Sequence, residues 1–317
     1  MTATEQGARA YRAPRRLGGN GPRRAGGAEA GKGRRAASFL APAIVLLAVF
    51  QFWPIIQTLL VSFTDSSGFN EANWVGLDNY LKIATDPEVR QSFLTTGIYA
   101  LLFTPSVVVV ALLGALLLNR KMPMRGLART VFFMPFVMSF AVAALAWQFL
   151  LDPNVGLVSH WLGNVGVHLG DLLESPTWAM PTVVFVAVWK MSGFYLIIFL
   201  AGLQAIPRHL YEAAQVDGAG VLRRFTSVTL PGLMNSLEFV MIFALIAALQ
   251  AFDQIYILTK GGPYRSTETV VMTLFTEGFG NLERGIASAL AMTLMLITLV
   301  FSAIQYRWFG RREGDQG

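Results

Sequence analysis

The residues of this chain that could do chemistry fall into two constellations, and they are unevenly placed. Lys190, Glu238 and Asp253 are ionisable side chains inside otherwise apolar runs. In a bilayer such groups face a bundle interior or a watery cavity. Asp253 lies in Gln250-Ala251-Phe252-Asp253-Gln254-Ile255-Tyr256. On one continuous helix Gln250, Asp253 and Gln254 would share a face at i, i+3 and i+4, edged by Phe252 and Tyr256. With Lys190, this predicts a polar and aromatic lining for a hydroxyl-rich solute. The plainer alternative is that Lys190 and Asp253 pair between helices and merely hold them together. Glu238 sits about one turn into its run and reads as snorkelling or pairing locally.

The second constellation is Tyr211-Glu212-Ala213-Ala214-Gln215-Val216-Asp217-Gly218-Ala219, a polar segment between two apolar runs. Pro207 can open a helix. Ala213 and Ala214 let another surface approach, Glu212 and Asp217 carry charge, and Gly218 permits a turn that a Cβ obstructs. Val221–Leu230 reads as an amphipathic helix closed by Pro231. A helix–turn–helix of this kind suits a groove on another protein. An interfacial connector lying on headgroups would instead favour Lys, Arg and exposed large apolar residues.

Enzyme chemistry finds no purchase. Cysteine is absent, and the three histidines, His160, His168 and His209, have no i, i+4 spacing, so no metal site or thiolate nucleophile is expected. Gly26-x-x-x-x-Gly31-Lys32 imitates a phosphate-binding loop, but Gly33 stands where Ser or Thr must hold magnesium and no strand precedes it. ATP hydrolysis by this chain alone is therefore not expected. No selectivity-filter pattern is present either.

The elements that position these residues follow from hydropathy. Of 317 residues, 54% are apolar and only 14% charged, against about 25% charged in soluble proteins. Six runs, about 39–63, 93–118, 130–151, 180–203, 233–258 and 285–306, approach the roughly 20 residues that cross a bilayer as helix. Helices are required because lipid satisfies no backbone groups, and Val107–Val110 does not alternate as a barrel strand would. The first run exceeds the roughly 7–15 residues of a signal peptide's apolar core and reads as an uncleaved span. Trp53, Trp74, Trp147, Trp178 and Trp308 fall near span ends as interfacial anchors. Gly114, Gly193 and Gly202 read as points of close helix approach.

The net charge of +6 is a topology signal rather than a nucleic-acid footprint. Nine basic residues precede the first span, and 19 of the 25 Lys and Arg lie in the two tails and in the loops after spans 2 and 4. Both termini and the Glu212 segment are accordingly expected in the cytoplasm. Residues 1–37, rich in Gly, Ala and Arg, are expected to be a disordered basic tail. Residues 38–308 form the six-helix domain, with the polar loop at about 207–231, and 309–317 a short cytoplasmic tail. No internal repeat is evident, which disfavours inverted-repeat carriers.

Glu212-Ala213-Ala214-x-x-Asp217-Gly218-Ala219, with Phe225 and Thr229-Leu230-Pro231 after it, resembles the EAA motif of permease subunits of binding-protein-dependent ABC importers. Leu200-Ala201-Gly202-Leu203-Gln204-x-Ile206-Pro207 is similar to the carbohydrate branch. So are Phe252-Asp253-x-Ile255-Tyr256-x-Leu258-Thr259, Gly261-Gly262-Pro263 with Thr267, and Gly285–Ala289. Together they resemble the MalF/UgpA-like member of the paired sugar permeases, over about Phe39 to Arg307. One departure is Lys260, where the family often has Gly.

The resemblance implies an all-α membrane protein with the type I ABC importer permease fold. It implies a bacterial inner-membrane location, a second homologous permease, two ATPase subunits that bind ATP and magnesium, and an extracellular solute-binding protein. The chain itself would bind no cofactor. Glu212, Ala213, Ala214, Asp217, Gly218 and Ala219 would couple to an ATPase, and Gly262 and Pro263 would lie near the docked binding protein. Lys190, Gln250, Phe252, Asp253 and Tyr256 are the candidate solute pathway. The solute would be a sugar, oligosaccharide or glycerol-phosphate-like compound. The rival is an ion- or proton-coupled secondary transporter acting alone.

Overall fold

The computed structural model describes residues 40–68, 72–120, 123–166 and 170–310. The expected tail 1–37, His168 and residues 311–317 lie outside them. The chain divides into two compact units, 1–55 and 56–317.

The first span is α1 (Leu40–Val61). Its residues up to Ile55 belong to the first unit and include a π turn at Ala48–Phe52, closed by the Trp53 N–H donating to the Ala48 carbonyl. The wider turn falls immediately before Pro54, which has no N–H to give.

In the second unit, α2 (Asp78–Thr85) leads into α3 (Pro87–Asn119). Asp86 caps α3 by accepting from the backbone N–H groups of Glu88 and Val89, with Pro87 at the first helical position. α4 (Arg125–Val137) and α5 (Phe140–Leu151) follow, then α6 (Leu157–Asn164), α7 (Ala179–Ala205), α8 (Arg208–Val216) and α9 (Val221–Gly232). α10 (Met234–Leu249), α11 (Asp253–Leu258), α12 (Val270–Gly280) and α13 (Arg284–Gly310) complete the chain. Among the described residues, only two isolated bridges, Thr64 with Trp74 and Ser67 with Glu283, interrupt the helical character.

The core lies where α3 and α7 pack along their length. Tyr99, Phe103, Val107, Ala111 and Ala115 recur every fourth residue on α3 and are buried against Val183, Val186, Leu196 and Phe199 of α7. In lipid this contact gains little from the hydrophobic effect, so close packing between helices must supply the stability. Gly193 shows how tight it is: a Cβ there would come within 2.0 Å of the Phe132 carbonyl oxygen on α4. The glycine lets the α4 backbone lie directly on α7.

Four helices, α1, α3, α7 and α13, are long and apolar enough to span a membrane alone. Two expected spans are broken. The run expected at 130–151 is α4 and α5, bent by 99° at Met138-Ser139. The run expected at 233–258 stops at Leu249, and α9 with α10 bends by 69°. Counting each bent pair as one span restores six. The expected stop at Pro231 is also corrected. The helix instead widens into a π turn at Phe225–Thr229 and continues to Gly232, because the wider turn accommodates a residue that cannot donate to the turn before it.

Candidate functional site

The break after α10 brings most of the expected pathway residues together, though not as one helical stripe. Gln250 closes α10, Phe252 leaves helical geometry (φ −137°, ψ −62°), and Asp253 begins α11. The freed Ala251 carbonyl accepts from the Thr269 hydroxyl at 3.0 Å. Backbone can leave the helix at this depth because a polar side chain replaces the missing partner.

Gln250, Phe252, Asp253 and Gln254 line a cavity of about 150 Å³, closed by Tyr99 and Phe103 of α3, Phe140 of α5, Met191 of α7 and Ala247 of α10. The single-face expectation fails because the chain turns between Gln250 and Asp253. Gln250 and Asp253 are exposed, whereas Gln254 is buried and its amide donates to the Tyr99 hydroxyl at 2.9 Å. Tyr256 stacks on Phe252, centroids 5.3 Å apart, just beyond the cavity.

Lys190 does something the sequence did not suggest. Its Nζ donates to the Phe136 carbonyl of α4 at 3.3 Å and lies 4.3 Å from the Phe140 ring centroid and 5.4 Å from that of Phe136. Neither ion pair among the described residues joins Lys190 to Asp253. The amine therefore satisfies one of the carbonyls orphaned where α4 ends, beside the cavity wall rather than in it. A cation against aromatic faces is partly compensated for its lost hydration.

A larger groove of about 820 Å³ lies where α5 meets the start of α7, between Trp147, Trp178 and Phe185. Its lining is mostly apolar and offers a polyol few hydrogen-bond partners. Trp147 packs edge-on against both Phe185 and Trp189.

The Glu212 segment is built around one helix end. In α8, Ala219 N–H donates to the Ala214 carbonyl at 2.9 Å and Gly218 N–H to Gln215 at 3.1 Å, with Gly218 at φ +70°. This is a Schellman ending, in which the residue after the helix takes the left-handed conformation and two orphan carbonyls are satisfied. It explains the spacing of the segment: Ala214 and Ala219 are the residues joined by the long bond, and Gly218 is the residue that must turn. Nothing lies within 4 Å of a Cβ built on Gly218, so backbone conformation alone demands glycine. Tyr211 and Thr229 share a 3.1 Å hydroxyl hydrogen bond that ties α8 to the π turn of α9.

Glu212, Ala213 and Asp217 are exposed, and Ala214 is buried. Beside them Val216, Val221 and Leu222 are 89%, 74% and 76% exposed. Sequence reading placed Val216 in the segment and Val221 and Leu222 in its amphipathic helix without marking them as one surface, although apolar residues flanking a turn glycine were the available signal. At the root of the segment the Gln204 amide faces Arg125 and Arg129 of α4, and the donors there assign its oxygen to that side, 3.0 Å from each guanidinium.

Gly262 and Pro263 lie in a tightly bonded loop between α11 and α12. The Thr267 hydroxyl donates to the Gly262 carbonyl at 2.8 Å and is 2.7 Å from the Thr259 hydroxyl. Arg265 bonds Glu88 on α3 and, through Nε at 2.6 Å, Glu268. Burial pulls the Arg265 guanidinium down, but the hydrogen bond and charge of Glu268, helped by Glu88, outweigh it and hold the group above its ordinary value. Tyr264 stands at the tip, 93% exposed.

Residues 86–313 match the family model described as binding-protein-dependent transport system inner membrane component. The sn-glycerol-3-phosphate transport system permease protein UgpA of Agrobacterium fabrum is 35% identical over 275 residues, covering 86% of this chain and 94% of that protein. The diacetylchitobiose uptake system permease protein NgcF of Streptomyces coelicolor is 34% identical over 299 residues, covering 88% of this chain and 84% of its own. In fold, the chain is similar to a chain of a bacterial alginate ABC transporter crystallised with an alginate-pentasaccharide-bound periplasmic protein. The TM-score is 0.79 at 23% identity, over 88% of this chain and 95% of that one.

Proposed function

The chain belongs to the family of binding-protein-dependent transport system inner membrane components, and on that premise we propose that the Arg208–Ala219 segment is the handle by which a separate ATPase drives it. It is a multi-pass permease subunit of an ABC importer. The solute is a sugar, oligosaccharide or glycerol-phosphate-like compound, in keeping with relatives named for glycerol phosphate and diacetylchitobiose. A lone ion- or proton-coupled carrier, the rival reading from sequence, falls with the family assignment.

The observation that carries the coupling role is an exposed charged and apolar patch held by a rigid helix ending. Glu212 lies beside Val216, Val221 and Leu222; uncovered apolar side chains mark a protein-binding or membrane-contacting surface, and the family assignment with the exposed Glu212 carboxylate favours the first. The Schellman ending and the Tyr211–Thr229 bond tie the patch to α9 and hence to α10. A push on α8 is therefore passed on as near-rigid motion to the helix that ends at the cavity.

ATP and magnesium would be bound by two ATPase partners, and a second homologous permease would complete the pathway. An external binding protein would deliver solute near Gly262 and Pro263. Lys190 then supports the pathway wall, while Gln250, Phe252, Asp253 and Tyr256 meet the solute.

The test is Glu212→Lys and Gly218→Pro in the full importer. Both should abolish ATP-driven uptake, or release the ATPase on purification, while the permease stays in the membrane. Unchanged ATP-driven uptake in both variants would refute the coupling role.

A further inference from the structure

Where α4 begins, on the side of α7 from which the coupling segment emerges, two arginines converge on one uncharged acceptor. Arg125 and Arg129 stand one turn apart on α4, and the Nη2 atom of each lies 3.0 Å from the side-chain oxygen of Gln204, near the end of α7. The two Nη2 atoms are thus no more than about 6 Å apart, close enough for their like charges to repel. Neither helix carries an Asp or Glu to offset them. None occurs between Glu88 and Asp152 or between Glu174 and Glu212, and both ion pairs among the described residues belong to Arg265.

The hydrogen bonding of the pair is incomplete as well. The guanidinium edge that carries Nε–H and Nη2–H is a fork for two oxygens. Gln204 fills one tine on each arginine, and the Nε of both is buried without a hydrogen-bond partner. One amide oxygen cannot fill two forks. A tetrahedral phosphate can, because it brings several oxygens together with the negative charge that the pair lacks. Gln204 is exposed, so it is free to yield this edge of the arginines to an incoming anion.

We propose that Arg125, Arg129 and Gln204 form a headgroup site for an anionic phospholipid of the cytoplasmic leaflet, its phosphate taking the place of the Gln204 oxygen on the two arginines. Basic pockets between membrane helices on the cytoplasmic side suit such headgroups. Ile197 and Ala201 are exposed on α7 and share a face with Gln204. They make an apolar lane that ends at the arginines, and an acyl chain can lie along it. Free phosphate gains nothing from that lane. The site lies apart from the solute cavity and does not depend on which solute is carried.

The test places the complete importer in phosphatidylcholine nanodiscs that contain either a minor fraction of phosphatidylglycerol or added inorganic phosphate. Native mass spectrometry counts the phosphatidylglycerol retained on the released complex, and thermal unfolding reads the stabilisation by each probe. Affinity for phosphatidylglycerol should fall roughly tenfold or more in the double variant Arg125→Gln/Arg129→Gln. It should fall less in Arg125→Lys/Arg129→Lys, which keeps the charge and loses the forks. Arg120→Gln, an exposed arginine outside the cluster, should match the unaltered complex. Undiminished retention in the Gln pair would overturn the site. If the Gln pair prevents assembly, the Lys pair decides, and retention equal to that of the unaltered complex overturns it. Equal stabilisation by inorganic phosphate alone would overturn the lipid assignment. So would loss of the ATPase subunits from the Gln pair with lipid retention unchanged, which would assign the arginines to a protein contact.

Discussion

The Nζ of Lys190 on α7 donates to the carbonyl oxygen of Phe136, 54 residues earlier, in the last turn of α4. A buried ammonium inside a span thus serves a broken helix rather than a neighbouring carboxylate. Lys190→Met removes the donor and leaves that carbonyl without it, which should cost about 1–3 kcal/mol. Lys190→Gln, which keeps a donor, should lose less. Thermal unfolding of the detergent-solubilised complex measures both, and a Met variant as stable as the parent would contradict the capping role.

Gln254 and Tyr99 form a buried side-chain pair between α11 and α3. Either Gln254→Leu or Tyr99→Phe alone leaves a polar atom unpaired and should destabilise by about 1–3 kcal/mol. The double variant should recover part of the loss, because an apolar pair leaves nothing unsatisfied. Strictly additive losses in denaturation midpoints would show that the two groups act independently.

Gly218 has room for a side chain but a left-handed backbone. Substitutions should therefore rank by backbone tolerance and not by size. Gly218→Asn should retain most ATP-driven uptake, Gly218→Ala should pay about 1–2 kcal/mol in the segment, and Gly218→Val should be worst. Uptake that tracks side-chain volume across these three would point to a steric role instead.

In the Arg265 network the two carboxylates are unequal. Glu88 is 70% exposed in its side chain and Glu268 only 13%, and Glu268 also accepts from the Thr273 hydroxyl at 3.0 Å. Glu88→Gln should change stability by less than about 1 kcal/mol. Glu268→Gln should loosen the loop around Gly262 measurably, seen as faster amide exchange at residues 261–268. Equal protection in the two variants would contradict the ranking.

Asp65 accepts from the backbone N–H of Asn73 at 2.6 Å and from its side-chain amide at 3.2 Å. These bonds hold the carboxyl below its ordinary value of 3.8. A lowered folded-state value means that the stabilisation is fully present above the ordinary value and is lost as pH falls through the lowered one. Phe63 and Trp74 stack across this turn at 5.3 Å. Trp74 fluorescence should therefore change on acidification below about pH 4, and Asp65→Asn should remove that titration. An identical acid transition in Asp65→Asn would assign it to another group.

The amino-acid sequence by itself determined the membrane class, the apolar runs that make up to six spans, and the helix ending after Val216. Each rests on short-range information: the length of apolar runs, the side on which Lys and Arg collect, and the spacing that places Ala214, Gly218 and Ala219 in one helix ending. Only the tertiary structure decided where the spans break. Apolar composition is similar on either side of Ser139, and the polar residues around Ala251 fit a continuous helical stripe as well as they fit a break, so hydropathy locates no departure from helix at either point. What permits it is a distant partner, Lys190 for the Phe136 carbonyl and Thr269 for that of Ala251. For the same reason the polar stripe Gln250, Asp253 and Gln254 was legible as a set of residues but not as a surface. A backbone turn between the first two sends Gln254 inward to Tyr99 and opens a cavity whose other walls come from α3, α5 and α7.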